Sequence, residues 1–247
     1  MAMQAVFQRY EIKYLIHSQQ YHQILQAMVE HMEPDAYPQC HIRNIYYDTP
    51  DHQLIRTSLE KPVYKEKLRL LSYGPVSQED TVFLELKKKY HSTVYKRRIA
   101  LPFHQAEKVM AQGLPLPQSS QIAQEIDYVR GFYPHLAPAM YLSYRRNAWR
   151  ERGGGEFRVT FDHELLAREE ALSLSTPAFG TPLLEEGQYL MELKAPGAIP
   201  LWMVRILSQL EICKTSFSKY GTAYQRLTLQ TNQGGFSHAT VPVRRAI

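Results

Sequence analysis

The sequence is poor in cysteine and has no long apolar run, and both features narrow the class of protein. Cys40 and Cys213 are the only cysteines among 247 residues, and their separation matches neither a zinc-binding nor a redox motif, which favours a reducing compartment. No apolar run reaches the roughly 18 residues of a membrane-spanning helix. The N-terminus lacks the hydrophobic region of a signal peptide, and no internal repeat is present. We therefore expect a soluble protein located in the cytoplasm.

The sequence is instead rich in aromatic and basic residues. It contains 17 tyrosines and 9 phenylalanines, and 44% of its residues are hydrophobic, which is typical of a folded domain with a sizeable core. The formal net charge is +5. A basic balance of this size makes an anionic partner plausible but does not identify one.

The clearest local signal is a predicted hairpin made of two strands, Val82–Lys89 and Val94–Leu101. Because side chains alternate across a strand, each strand has one charged face and one apolar face. The charged residues are Glu85, Lys87 and Lys89 on the first strand, and Lys96 and Arg98 on the second. A solvated face over an apolar one would explain any single hairpin of this kind, so the hairpin alone does not indicate a function.

The same alternation recurs along the chain and predicts an α+β domain. Further strands are predicted at Val6–Ile16, Cys40–Tyr47, Val63–Tyr73, Ala139–Arg150, Glu156–Asp162 and Tyr189–Ala195. Helical periodicity is found at Tyr21–Met32, Phe103–Ala111, Gln121–Phe132, Pro200–Glu211 and about Ser216–Leu229. Residues 231–247 have no strong periodicity, and we predict a disordered tail after a single domain that spans residues 1–230.

The charged faces of these strands carry many more cations than carboxylates. The cations are Arg9, Lys13, Lys65, Lys67, Arg69, Lys87, Lys89, Lys96, Arg98, Arg146, Arg158 and Lys194, and the carboxylates are Glu11, Glu85, Asp162 and Glu192. In an open sheet, this set would form a basic plate suited to nucleic acid or to a membrane surface. In a closed sheet, it would line a basic tunnel, where crowded and desolvated cations repel one another until a polyanion neutralises them. The periodicity alone leaves both arrangements open.

An ordered set of short motifs resembles one family. The motifs are RYEIK (9–13), KLR (67–69), FLELKKKY (83–90), VYKRR (94–98), YRRNA (144–148), FRVTFD (157–162), MELK (191–194) and FSKYG (217–221). Each motif is weak alone. Together, from about Val6 to Leu229, they resemble the VTC domain, the polyphosphate-polymerase branch of the CYTH-like triphosphate tunnel metalloenzymes. The resemblance implies an antiparallel eight-stranded β-barrel with flanking helices.

The resemblance also implies an activity and a set of site residues. The activity is transfer of the γ-phosphoryl group of ATP onto a growing polyphosphate chain, with a divalent metal, Mn²⁺ or Mg²⁺, as cofactor. Glu192 matches the family's metal-binding glutamate. The residues that match its phosphate-coordinating, catalytic cations are Lys13, Arg69, Lys87, Lys96, Arg146 and Arg158. Further substrate contacts are expected from Glu11, Lys67, Lys89, Arg98, Lys194 and Lys219.

Two positions depart from related patterns. Hydrolytic members of the superfamily tend to begin with a Glu-x-Glu-x-Lys strand, whereas this chain has Arg9, Glu11 and Lys13 at that spacing, which favours a polymerase. The basic strand commonly carries a further arginine two residues after the one matched by Arg69, and here that position is Leu71. Either Lys65 or Lys67 compensates, or the affinity for phosphate is weaker.

Three functions remain compatible with the sequence. They are an ATP-dependent polyphosphate polymerase, a metal-dependent tripolyphosphatase or nucleoside triphosphatase on the same tunnel, and a non-catalytic module that binds polyphosphate or nucleic acid. We favour the first, with ATP and polyphosphate as partners and no nucleic acid. A membrane partner protein that receives the polymer would place the chain at the inner face of a membrane. We also expect Glu85 to pair with a neighbouring lysine, and Lys88 and Arg97 to point away from the tunnel.

Overall fold

The structure, a computed structural model, describes residues 10–91 and 93–234. Its strands are β1 (Tyr10–His17), β2 (Met32–Asp48), β3 (Tyr64–Tyr73), β4 (Thr81–Tyr90), β5 (Thr93–Pro102), β6 (Ala137–Glu151), β7 (Arg158–Arg168), β8 (Thr181–Pro182), β9 (Gln188–Ala195) and β10 (Lys214–Thr215). Its α-helices are α1 (Ser18–Met28), α2 (Gln53–Leu59), α3 (Phe103–Gln112), α4 (Gln121–Phe132), α5 (Leu201–Gln209) and α6 (Lys219–Gly234). Each predicted strand and helix overlaps one of these elements.

The strands form one antiparallel sheet in the order β10-β1-β9-β7-β6-β2-β3-β4-β5, and β8 pairs with β7. This confirms the predicted α+β class and its eight long strands, to which two short strands are added. Within the described residues, no pairing joins β5 to β1 or β10, so the ladder does not close. The two halves meet through side chains instead. Lys13 of β1 donates to the Phe217 carbonyl at 3.1 Å, and Lys67 of β3 donates to Ser218 Oγ at 3.0 Å. The predicted barrel is therefore a curled sheet whose concave side is bridged by the segment before α6.

The convex side of the sheet is apolar and packs under two pairs of helices. Strands β2 to β5 contact α3 and α4, with Leu68, Leu84 and Phe103 fully buried between them. Strands β1, β7 and β9 contact α1 and α5, where Ile16 and Met203 are fully buried. Because apolar side chains occupy the convex positions, the alternating charged positions of the same strands face the concave side.

A third apolar cluster lies on the concave side, where α2 and α6 enter. The ring of Tyr220 from α6 stacks on Tyr46 of β2, with centroids 4.5 Å apart. The Asp48 carboxylate accepts hydrogen bonds from the backbone N–H groups of Leu54 and Ile55, at 2.8 and 3.0 Å. It also accepts a hydrogen bond from the Tyr220 hydroxyl at 2.9 Å. Asp48 therefore ties α2 and α6 to the end of β2, and the two helices fill that end of the concave side.

Several predicted boundaries are wrong. The helix predicted at Tyr21–Met32 runs from Ser18 to Met28, because Met32 already pairs with Glu151 as the first residue of β2. The strand predicted at Cys40–Tyr47 is longer, because β2 already pairs with β6 from Met32 onwards. Helix α2 is missed because it has only seven residues and depends on Asp48, which lies before it. Residues 6–9 of the first predicted strand and residues 235–247 of the predicted tail lie outside the described residues, whereas residues 231–234 continue α6.

Candidate active site

The inward positions of the long strands bring most of the predicted site residues to one concave surface. Cross-strand pairing sets their order. Lys67 of β3 lies opposite Lys87 of β4, which lies opposite Lys96 of β5. In the other half of the sheet, Lys13 of β1 lies opposite Glu192 of β9. The side chains fall into three groups that differ in how their charge is balanced.

The first group surrounds Glu192, whose side chain is 6% exposed. Four cations approach its carboxylate, at 3.1 Å for Lys219, 3.4 Å for Lys13, 3.5 Å for Arg146 and 3.6 Å for Lys194. Burial alone would raise the pKa of Glu192, but Lys219, Lys13 and Arg146 outweigh burial and hold that pKa well below its usual range. Glu192 is therefore a charged carboxylate at neutral pH, set among cations rather than on the outer surface.

Asp162 completes this group, although the sequence assigned it no role. Its fully buried carboxylate accepts two hydrogen bonds from Arg146, at 2.6 and 2.7 Å, and lies 2.6 Å from Lys219 Nζ. Burial would raise the pKa of Asp162, but Lys219 and Arg146 lower it. Lys13 also lies 3.5 Å from Glu11. We call Glu11, Asp162, Glu192 and the four cations Lys13, Arg146, Lys194 and Lys219 the carboxylate cluster. The only feature of the sequence that pointed to Asp162 was its position on the charged face of a predicted strand.

The second group is a triad of Arg69, Glu85 and Arg98. Oε1 of Glu85 accepts from Nε and Nη2 of Arg69, at 2.9 and 2.5 Å. Oε2 of Glu85 accepts from Nε and Nη2 of Arg98, at 3.1 and 2.7 Å. Burial would raise the pKa of Glu85, but the two arginines lower it. The expectation that Glu85 pairs with a lysine is therefore wrong, because the register of three strands places an arginine on each side of it.

Leu71 lies beyond this triad on the inward face of β3. Its side chain is fully buried, opposite Phe83 of β4. Neither Lys65 nor Lys67 extends its ammonium to the position of Leu71. Lys65 Nζ donates to the Ser58 carbonyl at 2.9 Å, and Lys67 Nζ donates to Ser218 Oγ. At this level, β3 therefore presents an apolar side chain and not a cation to the concave side.

The third group, which we call the lysine wall, consists of Lys65, Lys67, Lys87, Lys89 and Lys96 on β3, β4 and β5. In the part of the chain that the structure describes, none of these lysines forms an ion pair with a carboxylate. Burial, with Lys87 and other cations adding to it, lowers the pKa of Lys67 to about 7. Burial also lowers the pKa of Lys87 to about 8, although Glu11 opposes this shift across the concave side. The lysine wall is thus a basic surface without ion pairs among the described residues, whose charge is balanced only in part, by Glu11 acting on Lys87.

The start of α6 lies between the lysine wall and the carboxylate cluster. Ser218 Oγ accepts the backbone N–H of Gly221 at 3.2 Å, as an N-cap does, and the ammonium of Lys67 at 3.0 Å. The N-terminus of a helix carries a partial positive charge, which adds to the basic character of this space. Ser218 belongs to the FSKYG motif, but only the fold shows that it meets Lys67.

Three other cations lie apart from these groups. The Arg158 side chain is 48% exposed and pairs with Asp35 at 3.2 Å, so the structure does not bring Arg158 to the centre of the site. Lys88 and Arg97 point outward, as predicted, and lie 3.2 and 3.5 Å from Glu125 of α4.

The acidic residues offer a limited donor set for a metal ion. Among residues 10–91 and 93–234, no group of three or more His, Cys, Asp or Glu side chains could hold a metal. Glu192 and Glu11 are near enough for the charge of Glu192 to oppose ionisation of Glu11. Mg²⁺ is commonly bound by one or two carboxylates together with substrate phosphates. These residues therefore fit an ion that arrives with a phosphate substrate, because the four cations around Glu192 would repel a free divalent ion.

Comparisons with known proteins give a family match and a solved structure of the same fold. A family model described as the VTC domain matches residues 8–228. A candidate adenylate cyclase from Bacillus halodurans superposes with a TM-score of 0.54 at 17% identity, covering 88% of this chain and 95% of that chain, and so has the same fold. A candidate adenylate cyclase from Vibrio parahaemolyticus gives 0.44 at 12% identity, covering 87% and 96%. No curated protein matches. None of the described helices is long and apolar enough to cross a membrane.

Proposed function

The chain belongs to the VTC domain family, as its motifs predict, and on that premise we propose that it is an ATP-dependent polyphosphate polymerase. In the proposed reaction, a terminal oxygen of the polyphosphate chain attacks the γ-phosphorus of ATP. The bond from that phosphorus to the β–γ bridging oxygen breaks, ADP leaves with the bond's electrons, and the polymer grows by one phosphate. The attacking oxygen is already anionic, so the reaction needs no general base.

The lysine wall is the observation that carries this proposal. Phosphoryl transfer depends mainly on positioning and on neutralising the charge of the phosphates. In the described residues, Lys67, Lys87 and Lys96 lie side by side without an ion pair, and the pKa values of Lys67 and Lys87 are lowered although Glu11 acts on Lys87 from across the concave side. Such a surface is unfavourable when empty and becomes favourable when a polyanion lies along it. Linked phosphates supply this charge at close spacing.

We assign the remaining residues according to their place in the fold. Arg69 and Arg98, whose Nε–Nη2 edges are held by Glu85, contribute positive charge to phosphate binding at one end of the wall. On the opposite side, incoming phosphates would replace some of the carboxylate contacts within the carboxylate cluster. The cations that would neutralise these phosphates are Lys13, Arg146, Lys194 and Lys219. Glu192, with Glu11 beside it, would hold the divalent ion, which supplies Lewis-acid polarisation of phosphate oxygens when bound. Lys65 and Lys89 extend the wall, and Arg158 makes an outer contact.

The carboxylates favour transfer to polyphosphate over transfer to water. A hydrolase needs a group that orients or deprotonates water, and a general base works best with a pKa near the working pH. Glu11, Glu85, Asp162 and Glu192 all have lowered pKa values and cationic partners. Each is therefore better suited to holding cations or a metal than to accepting a proton.

Incubating the purified chain with ATP and Mn²⁺ tests the proposal directly. Ladders of increasing chain length on a gel support a polymerase. Free orthophosphate without ladders would indicate a triphosphatase, and binding of ATP without turnover would indicate a non-catalytic module. Either result would overturn the proposal. The cytoplasmic location and the membrane partner that would receive the polymer remain predictions.

A further inference from the structure

The concave surface changes character at the end where β3 finishes and β4 begins. Inward positions of β3 run from Lys65, Lys67 and Arg69 to Leu71 and Tyr73, and the facing inward position of β4 is Phe83. Cations therefore give way to one buried leucine and two aromatic rings. On β3, the run of inward cations therefore ends at Arg69, and apolar side chains continue the surface from Leu71.

Tyr73, Phe83 and Arg98 form a contiguous platform at this end. The rings of Tyr73 and Phe83 meet edge to face, with centroids 5.9 Å apart. The Arg98 guanidinium lies 5.0 Å from the Phe83 ring centroid, and its Nη1 donates to the Tyr73 hydroxyl at 3.2 Å. The same guanidinium is held from behind by Glu85. The platform is thus a fixed group of one guanidinium and two aromatic rings. It shares Arg98 with the triad.

Part of the platform is open to a ligand. Tyr73 is 54% exposed and the Arg98 side chain 36% exposed, although both residues are fixed by their contacts. Among the described residues, Tyr37 is more exposed, at 82%, but it makes no ring or cation contact. Exposure alone therefore does not distinguish the platform. The Arg168 guanidinium also contacts two rings, those of Tyr141 and Phe179, but Arg168 is buried, whereas the Arg98 guanidinium is both fixed between contacts and partly exposed.

The distance from the platform to the lysine wall suits a nucleotide. Phe83 precedes Lys87 by four residues on β4, which corresponds to about 13 Å along a strand at 3.3 Å per residue. This separation is of the order spanned by a ribose and its attached phosphates. A nucleotide with its terminal phosphates against Lys87 would therefore carry its base towards Phe83 and Tyr73. The opposite end of the concave side is filled by α2 and α6.

We propose that Tyr73, Phe83 and Arg98 bind the base of the nucleotide donor, so that the donor enters with its base at this end and its γ-phosphate at the lysine wall. The assignment rests on the proposed function, because it takes ATP as the donor. A nucleobase stacks on aromatic rings and on arginine through its π-face. An inorganic phosphate chain has no such face and gains nothing from the rings. The platform therefore distinguishes the donor from the growing polymer.

Equilibrium binding of ATP and of inorganic tripolyphosphate to the same variants tests this assignment. In Tyr73→Ala, the affinity for ATP is expected to fall at least tenfold, about 1.4 kcal/mol, while the affinity for tripolyphosphate stays within twofold. Phe83→Leu, which keeps an apolar side chain, is expected to show the same selective loss. Tyr95→Ala is the matched control, because Tyr95 lies on the outward face of β5 and is 40% exposed; it should change neither affinity. Equal weakening of both ligands in Tyr73→Ala, or no weakening of ATP, would overturn the assignment.

A tryptophan placed in the platform gives a readout that does not depend on turnover. In Tyr73→Trp, added ATP is expected to quench the fluorescence of the new indole, whereas tripolyphosphate is not. Equal responses to both ligands would contradict base stacking. A wild-type protein that binds tripolyphosphate but not ATP would overturn the platform and leave a phosphate-binding tunnel in place. A wild-type protein that binds neither ligand would overturn the proposed function as well.

Discussion

Lys219 Nζ lies 2.6 Å from Asp162 Oδ2, so the first residue of α6 neutralises a fully buried carboxylate of β7. The same ammonium lies 3.1 Å from Glu192. Despite its burial, the pKa of Lys219 is raised by these two carboxylates. The Lys219 side chain therefore links the start of α6 to β7 and β9 and neutralises part of the negative charge of the carboxylate cluster.

Replacing Lys219 by methionine should destabilise the fold. Removing one partner of a buried ion pair leaves an uncompensated charge, and Arg146 remains to satisfy only part of it. We expect Lys219→Met to lower the free energy of unfolding by roughly 3 kcal/mol, measured by urea denaturation. Lys219→Arg should recover much of this loss. Lys214→Met, at an exposed position of β10, is the control and should change stability by less than about 0.5 kcal/mol. A loss below about 1 kcal/mol in Lys219→Met would contradict the structural role.

Lys87 and Lys88 are adjacent in the chain but face opposite sides of β4, which makes them a matched pair. Lys87 belongs to the lysine wall, whereas Lys88 pairs with Glu125 outside the sheet. We expect Lys87→Ala to lower ATP turnover at least tenfold, about 1.4 kcal/mol in the barrier, without lowering the unfolding midpoint, because repulsion from Lys67 and Lys96 is relieved. Lys88→Ala should keep near-normal turnover. Full activity of Lys87→Ala would remove this lysine from the site.

Glu192 should control the response to the divalent ion. Glu192→Gln keeps the shape of the side chain but removes its negative charge. That charge would attract a metal ion in spite of the four surrounding cations. We expect this variant to lose Mn²⁺-dependent turnover, measured across a Mn²⁺ titration at fixed ATP. Glu125→Gln, on the outer helix α4, is the charge-matched control. A Glu192→Gln protein that is fully active at the Mn²⁺ concentration of the wild type would count against the ligand role.

Binding of ATP should take up protons from solution near pH 8. Lys67, with a pKa of about 7, is mostly neutral at that pH, and Lys87, with a pKa of about 8, is half protonated. Bound phosphates favour the charged ammonium and raise both pKa values, whereas ATP itself is fully ionised at pH 8 because its terminal phosphate has a pKa near 6. Calorimetry in two buffers of different ionisation enthalpy should give an uptake of roughly one proton.

Two further measurements serve as controls for this proton uptake: binding at a lower pH and binding to a variant without Lys67. At pH 6, both lysines are already charged in the free protein, so the uptake assigned to them should disappear. Lys67→Met should reduce the uptake at pH 8. A wild-type protein that binds ATP at pH 8 without taking up protons would contradict the lowered pKa values of the lysine wall.

The alternation of charged and apolar residues predicted much of the site, because a strand has only two faces and one of them is covered by helices. It placed Lys87 and Lys96 on one surface and Lys88 on the other, and the structure confirms both. The resemblance to the family added the antiparallel barrel, which does not follow from periodicity alone and which the structure shows as a curled sheet whose ladder does not close within the described residues.

Long-range pairing could not be predicted in the same way. The partners of Glu85 depend on the register of three strands, and a shift of two residues would have placed different cations beside it. The link between Asp162 and Lys219 joins β7 to the last helix, and no local pattern encodes it. The helix α2 depends on Asp48, which lies five residues before the helix and accepts hydrogen bonds from Leu54 and Ile55. In each case, the missing information was the relative position of distant segments.

Within residues 10–91 and 93–234, no strand pairs with the outer edge of β5, where Gln118 donates to the Ala100 carbonyl, and this edge has a consequence for the behaviour of the protein at high concentration. Exposed sheet edges invite addition of a strand from another chain, and natural proteins often protect them with charged residues. Strand β5 carries Lys96, Arg97 and Arg98 in succession, so two copies meeting edge to edge would bring like charges together. Lys96 and Arg98, which make the concave side attractive to an anion, therefore also discourage aggregation through this edge.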